Sequence, residues 1–388
     1  MKKFSPLTEG LIDRISSDKV LKHLLEESIA RAAKVNPDRD TNPAQTLQEF
    51  YDFVEWSSTT LPGFILKLPT GSSLYDHIDQ GVDYLYFLLD QPLPELEGKG
   101  YYHPSLQYHE PFCSWLREYA RTWGSFLSTP ESWKPAYAEA FFSAPEFGVS
   151  RDWCESPERW KCFNDFFSRK LRSPEVRPVC SPDDPSVVVS PVDGYPQGVW
   201  PIDAEGYIVQ HQGVRLKSRY FDAIADLIGE DSAYADAFKG GTLTHIFLDV
   251  NDYHRYHFPV DGTILEVRHI PGLTAGGGVY RYDAQERKYV LDCEHPGWES
   301  IETRASVILD TAYGLVALLP IGMSQICSVN FSDSIVPGAT VRKGEELGWF
   351  LFGGSDYVII FQQGVSFSPA VEKDSHILMG QTLGSLKK

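Results

Sequence analysis

Residues 346–361 read ELGWFLFGGSDYVIIF. Aromatic and β-branched residues fill both halves of this stretch, and Gly353-Gly354-Ser355 interrupts them, which is the composition of two strands with a break between. Short runs of the same texture precede it: VVVSPVDG (187–194), TLTHIFLDV (242–250), YHFPVDGTILEVRHIPG (256–272), ASVILDT (305–311) and GLVALLPIG (314–322). Gly and Pro punctuate them, so the second half of the chain is expected to be mostly antiparallel β, barrel-like or sandwich-like. One helix is expected to interrupt it over Ser218 to Ile228, where Tyr220, Phe221, Ile224 and Leu227 share a face. In Val336 to Phe350, VPGATVRKGEELGWF, the Pro-Gly and Lys-Gly pairs predict tight hairpins. Biotinyl and lipoyl carriers share that pattern, but Lys343 alone lacks the motif a carrier presents.

The first third has a different period. From Leu11 to Ala33 the apolar positions Leu11, Ile12, Ile15, Val20, Leu21, Leu24, Leu25 and Ile29 recur at three-and-four spacing, as they do around Leu47 to Val54, Val82 to Leu89 and Phe112 to Phe126. Their Trp and Tyr residues fall on the apolar spacing and read as helix-packing core. A short helix is expected over Cys162 to Leu171, before the Pro-rich connection Ser181-Pro182-Asp183-Asp184-Pro185. The expected class is therefore α+β, with a helical domain over residues 1–180 and a β-rich domain over 181–388.

The 388 residues carry 35 Lys and Arg against 53 Asp and Glu, a formal charge of −18, with 42% hydrophobic and 13% aromatic residues. That composition supports a large folded core and argues against disorder. The acidic balance argues against nucleic acid, which needs a basic face. It also weighs against an anionic membrane, although a local basic patch remains compatible with peripheral lipid contact. No run of about 20 apolar residues is present, and MKKFSPLTEGLIDR lacks the apolar core of a signal peptide, so a cytoplasmic location is expected. Six cysteines without a CxxC pair read as free thiols, and no metal site is expected.

Three places in the β half carry chemistry: Asp193-Gly194, the stretch NDYHRYHFPVDG (251–262), and the Gly353-Gly354-Ser355 break. An Asp-Gly alone is a turn. His254 and His257 lie three apart, which in a strand puts them on opposite faces, so shared metal coordination needs a bulge. Ser355 with a His and Asp193 supplies a nucleophile, base and orienting carboxylate, yet no G-x-S-x-G elbow is present. A Ser after Gly has another fate. Its hydroxyl can attack the Gly354 carbonyl to give an ester; elimination at the Ser α-carbon then breaks the chain and leaves dehydroalanine, which water hydrolyses to a pyruvoyl group with release of ammonia.

The order VDG, YHRYH-x-P-x-DG, PIGM and GEELGWFLFGGS, preceded by NDFFSRKLRSPEVRPV, resembles the phosphatidylserine decarboxylase family over roughly Phe163 to Phe361. The resemblance implies a zymogen that cleaves itself between Gly354 and Ser355 into β and α chains, with a pyruvoyl cofactor made from Ser355. It implies His257 as the base for self-cleavage, oriented by Asp193, and His254 as the group assisting decarboxylation. Turnover then runs through a Schiff base between the pyruvoyl ketone and a substrate amine, which accepts the electrons left by carbon dioxide. No metal is implied.

Two departures bear on the substrate. Many family members have LGST where this chain has FGGS followed by Asp356, and membrane-bound members carry anchoring segments that are not seen here. Those features, with RTWGSFLST (121–129) and WFLFGGS (349–355), resemble the soluble branch that includes fungal tryptophan decarboxylases of the psilocybin pathway. The resemblance thus implies a free amino acid as substrate, L-tryptophan or another aromatic one, with phosphatidylserine as the alternative. A serine hydrolase using Asp193, His257 and Ser355, and a non-catalytic binding module, stay open as remote readings. The Gly-rich run between Pro271 and Tyr282 reads as a mobile flap, and a lipid-docking patch near Leu61 to Leu68 belongs to the phosphatidylserine alternative.

Overall fold

The computed structural model describes residues 3–62, 80–143, 149–209, 223–273, 279–292, 297–323, 328–353 and 355–388. The apolar period that starts at Leu11 yields two helices, α1 (Pro6–Ser17) and α2 (Lys19–Val35), because Asp18 leaves the helical region at φ −121°. Its carboxylate accepts from the backbone N–H groups of Val20 and Leu21 at 2.9 and 3.0 Å, capping the second helix. There follow α3 (Leu47–Ser57), α4 (Gln80–Leu89), α5 (Phe112–Leu127), α6 (Pro135–Ser143), α7 (Phe163–Phe167) and α8 (Ile224–Ile228). Every residue of α4 is buried, Gln80 and Asp83 included, which makes it a core helix. Along α5 the rings of Trp115, Tyr119 and Trp123 stand 5.8 and 6.0 Å apart in succession, the core role their spacing predicts.

One expected helix comes out shorter, and a second is described only in part. The one expected over Cys162 to Leu171 stops at Phe167, and Leu171 instead forms a bridge with Cys154. Of the one expected from Ser218, the described part is α8, while Tyr220 and Phe221 lie outside the described residues.

Fifteen strands follow in the described chain: β1 (Val187–Val189), β2 (Tyr195–Pro201), β3 (Thr242–Leu248), β4 (Arg255–His257), β5 (Gly262–Ile270), β6 (Val279–Asp283), β7 (Lys288–Asp292), β8 (Thr303–Thr311), β9 (Gly314–Gly322), β10 (Val329–Phe331), β11 (Thr340–Val341), β12 (Glu346–Phe350), β13 (Ser355–Phe361), β14 (Ser366–Pro369) and β15 (Thr382–Lys387). Seven form one antiparallel sheet in the order β11-β5-β8-β9-β13-β3-β2. The class is thus α+β, with an open sheet rather than a closed barrel among the described residues. Smaller antiparallel sheets are β10-β12-β4, β1-β15-β14 and the hairpin β6-β7.

The hairpins expected in Val336 to Phe350 are not formed. β11 pairs with β5 in the large sheet, and β12 pairs with β4 and β10 in another, so the Lys343-Gly344 turn carries the chain between sheets. Lys343 is buried there, donating to the carbonyls of Ser181 and Asp184 at 3.1 and 2.7 Å.

β13 is buried along its whole length, which is why its sequence shows an unbroken apolar run after Asp356. Tyr357, Ile359 and Phe361 join a large core cluster that also takes in helical residues such as Leu88, Trp123 and Phe167. Val358 and Ile360 face the other way, into a smaller cluster with Ile224, Leu227 and Trp298. No helix among the described residues is long and apolar enough to cross a membrane.

Candidate active site

The short helix α7 and the residues just after it hold two of the three sequence landmarks. Asn164 accepts from the Phe352 N–H at 3.2 Å, fixing the chain just before Gly353. Arg169 is fully buried without a carboxylate partner, donating to the carbonyls of Asn251 and Asp252 at 2.7 and 3.0 Å. Its guanidinium lies 4.6 Å over the Trp153 ring, and burial pulls its pKa down to about 10. Arg255 donates to the Ser168 carbonyl at 2.8 Å and to Glu346 at 2.7 Å, joining the same corner to β4 and β12.

The two histidines occupy different settings. His254 donates through Nδ1 to the Asp252 carbonyl at 3.0 Å, which leaves Nε2 as a lone-pair nitrogen, buried and without a partner among the described residues. Phe167 packs on its ring at 3.9 Å. Burial, aided by the Arg169 charge, holds His254 well below the usual imidazole range, so the ring is neutral. His257 donates through Nδ1 to the Gly344 carbonyl at 2.9 Å, and its Nε2 receives the Tyr253 hydroxyl at 3.1 Å. Burial lowers its pKa as well. The histidines are therefore two separate neutral imidazoles.

Asp193 sits at the VDG turn, where Gly194 is obligatory: a Cβ there would lie 2.4 Å from the Phe247 carbonyl oxygen. Its carboxylate is gripped by Arg177, with contacts of 2.6 to 3.2 Å, and accepts the Met379 N–H at 2.7 Å. No hydrogen bond joins Asp193 to His257, and none joins either histidine to Ser355. The structure places these four residues in one region without assembling a closed triad.

Ser355 opens β13, in register between Leu248 of β3 and Gly322 of β9. Its hydroxyl is buried with no hydrogen-bond partner among the described residues, and Gly353 just upstream has φ 156°, in the region that favours glycine. Gly354 lies outside the described residues. A cavity of about 420 Å3 reaches Gly353 and Phe352, walled by Phe247, Leu248 and Asp249 at the end of β3 and by Met323. Its far walls are Gln80, Val82 and Asp83 of α4 and Tyr280, Lys288 and Tyr289 of the β6-β7 hairpin. Helix and hairpin are tied together, since Gln80 exchanges hydrogen bonds with the Tyr289 backbone at 2.7 and 2.9 Å and Tyr86 stacks on Tyr280 at 5.3 Å. The expected flap between Pro271 and Tyr282 falls partly on residues 274–278, which are outside the described residues, as is most of the patch near Leu61 to Leu68.

Sequence reasoning missed two features. One is Arg169, hidden because its partners lie 82 and 83 positions away. The other is behind Ser355, where His245, Glu299 and Asp356 bring donor atoms within 4.8 Å of one another, all buried. A signal for it existed, since Asp356 is a charge at the head of an otherwise apolar strand.

A phosphatidylserine decarboxylase family model matches residues 163–385. Among curated relatives, the phosphatidylserine decarboxylase proenzyme of Alkalilimnicola ehrlichii is 28% identical over 279 residues, covering 67% of this chain and 88% of that protein. That of Methylococcus capsulatus is 28% identical over 271 residues, covering 66% and 87%. That of Bordetella avium is 29% identical over 266 residues, covering 64% and 84%. A buried unpartnered serine at the head of a central strand, after glycines, fits the precursor of a self-made carbonyl group, and fold and site define a pyruvoyl-dependent carboxy-lyase. The chain belongs to the phosphatidylserine decarboxylase family. The pyruvoyl group of that family derives from a serine and supplies a carbonyl that withdraws electrons as carbon dioxide leaves.

Proposed function

We propose that this chain decarboxylates phosphatidylserine, releasing carbon dioxide from the serine headgroup with a pyruvoyl group made from Ser355. The names of its relatives carry this reading, because the match covers 79% to 93% of the length of proteins named for that substrate.

The chain's own residues divide the work. His257 takes the role of base in self-cleavage, with Tyr253 as its hydrogen-bond partner at Nε2 and Asp193 contributing negative charge nearby. His254, neutral and with Nε2 free, holds and returns the proton exchanged at the substrate carbon, while Phe167 keeps water off its ring. Phe352 and Phe247 shape the approach from the cavity.

A second reading is favoured by one specific observation. The cavity walls Gln80, Val82 and Asp83 precede the family-matched residues 163–385, and Phe247, Tyr280, Tyr289 and Phe352 line the same space with rings. A partly open cavity of about 420 Å3 with aromatic rings in its walls suits a free aromatic amino acid such as L-tryptophan, as the resemblance to the fungal tryptophan decarboxylases implies.

Carboxyl-labelled phosphatidylserine in mixed micelles and carboxyl-labelled L-tryptophan, L-tyrosine and L-phenylalanine, each given to the cleaved chain, test both. Labelled carbon dioxide from the lipid supports the first reading. Release from an aromatic amino acid alone replaces it with the second, and release from none of them removes both.

A further inference from the structure

We infer that Asp356, His245 and Glu299 form a positioning cluster that holds the Asp356 side of the Gly354–Ser355 bond in place during self-cleavage, an inference that rests on Ser355 being the self-cleaving serine. Ser355 and Asp356 are consecutive in β13 and point to opposite faces of the sheet. Asp356 enters the smaller core, where its carboxylate accepts from His245 Nδ1 at 2.8 Å. Glu299 brings Oε1 to 3.7 Å from the same nitrogen, and its other oxygen accepts the Gly297 N–H at 2.6 Å. Trp200 stacks on the His245 ring at 5.1 Å. The cluster therefore ties β13 to β3 and to the single turn Trp298–Ile301.

Stability alone does not account for it. Two carboxylates and an imidazole withdrawn from water are harder to accommodate than apolar side chains of the same volume. Asp356 Oδ1, Glu299 Oε1 and His245 Nε2 also have no hydrogen-bond partner among the described residues. Arg304 and Lys373 are the other charged groups bearing on the cluster, through Glu299 and His245 respectively.

The chemistry of cleavage explains what the tie does. In the first step Ser355 Oγ bonds to the carbonyl carbon of the preceding residue, the C–N bond to Ser355 breaks, and the hydroxyl proton ends on the freed amine. From then on residue 355 is linked upstream only through its own side chain. Its α-carbon must nevertheless stay fixed while it loses a proton and the Cβ–Oγ bond breaks. Asp356 is the next covalent link, and with Phe247 and Ile321 as its register partners the side-chain tie clamps that link across the sheet.

The cluster has its own pH signature. Burial first, and then Asp356, raises Glu299 to about 7, while Asp356 and the Glu299 carboxylate lift His245 against the effect of its burial. Glu299 thus changes charge near neutrality, as does His245, whose pKa is raised from its ordinary value of 6.5.

The test is an intact-mass time course of freshly synthesised full-length chain, wild type against Asp356→Asn, His245→Gln and Glu299→Gln, over about pH 5.5 to 8.5. Each variant is also melted on an uncleavable Ser355→Ala background, which reports folding separately. Asp356→Asn and His245→Gln should melt within a few degrees of their Ser355→Ala parent yet cleave more slowly by about tenfold or more. Glu299→Gln should cleave with a pH profile displaced near neutrality from that of the wild type. Variants that cleave at the wild-type rate with the wild-type pH profile overturn the inference, as does slow cleavage confined to variants that fail to fold. One divalent ion per purified chain, lost in Glu299→Gln, also overturns it by making the cluster a metal site. A wild-type chain that never cleaves overturns the reading of Ser355 itself, and the cluster's role with it.

Discussion

Arg169 and His254 meet at one oxygen atom, the carbonyl of Asp252, which accepts from the guanidinium at 3.0 Å and from the ring Nδ1 at 3.0 Å. That carbonyl sets which imidazole nitrogen carries the proton, because it can only accept, and the arginine holds the carbonyl in place. Replacing Arg169 with Lys keeps the charge but not the fork, whose Nη2 donates to Asn251 and Asp252 while Nη1 donates to Phe166 and Phe167. We expect Arg169→Lys to lose about 1–3 kcal/mol in urea unfolding. Decarboxylation by the cleaved fraction should fall further than self-cleavage does.

The two histidines are separable by mass alone. His257→Ala should remain a single chain, whereas His254→Ala should cleave and then release carbon dioxide slowly. An intact-mass spectrum of each, with and without a carbonyl-specific hydrazine, reads both outcomes. A cleaved His257→Ala beside an intact His254→Ala would exchange the two roles.

Glu299 gives a stability prediction with a definite sign. Its pKa rises from 4.5 to about 7 in the fold, so between these values the folded chain holds a proton that the unfolded chain has released. Stability contributed by protonated Glu299 is present below pH 4.5 and is lost as the pH climbs to about 7. On the Ser355→Ala background, Glu299→Gln should thus gain on its parent across that window, by on the order of 3 kcal/mol. Urea midpoints at the two ends of the window measure it, and a constant difference would refute it.

Tyr289 links the helical region to the cavity. Its hydroxyl receives the Asn36 amide at 2.9 Å and donates to the Thr41 carbonyl at 2.8 Å, while its ring packs 4.7 Å from Phe87. Tyr289→Ala should leave self-cleavage unchanged and raise KM for an aromatic amino acid by about tenfold, if that is the substrate. Equal kinetics for wild type and variant would separate the helical region from substrate choice.

Much of this arrangement was legible because it rests on local pattern. Helical spacing marked α4 and α5, and the apolar run after Asp356 marked a strand buried on both faces. The position of Ser355 at the head of that strand followed from Gly353-Gly354. What the sequence could not show depends on distant partners. Asp193 reads as an orienting carboxylate, yet its grip on Arg177 comes from a loop 16 positions upstream with no periodic signal. Val336 to Phe350 reads as hairpins because turn residues look alike whether the chain folds back or crosses to another sheet.

The position of β13, fifth of seven in the large sheet, sets the physical fate of the mature enzyme. If self-cleavage falls before Ser355, as proposed, the downstream piece begins at Ser355 and supplies β13, β14 and β15. Its first strand is a keystone, zipped to β9 on one side and β3 on the other. The two fragments are therefore interlocked as firmly as any uncut fold while it stands. Once melted, they would have to find each other and thread a middle strand into a sheet already closing around its absence. Maturation makes the molecule a one-way assembly, whose native state is inherited from a precursor and not regained from its parts.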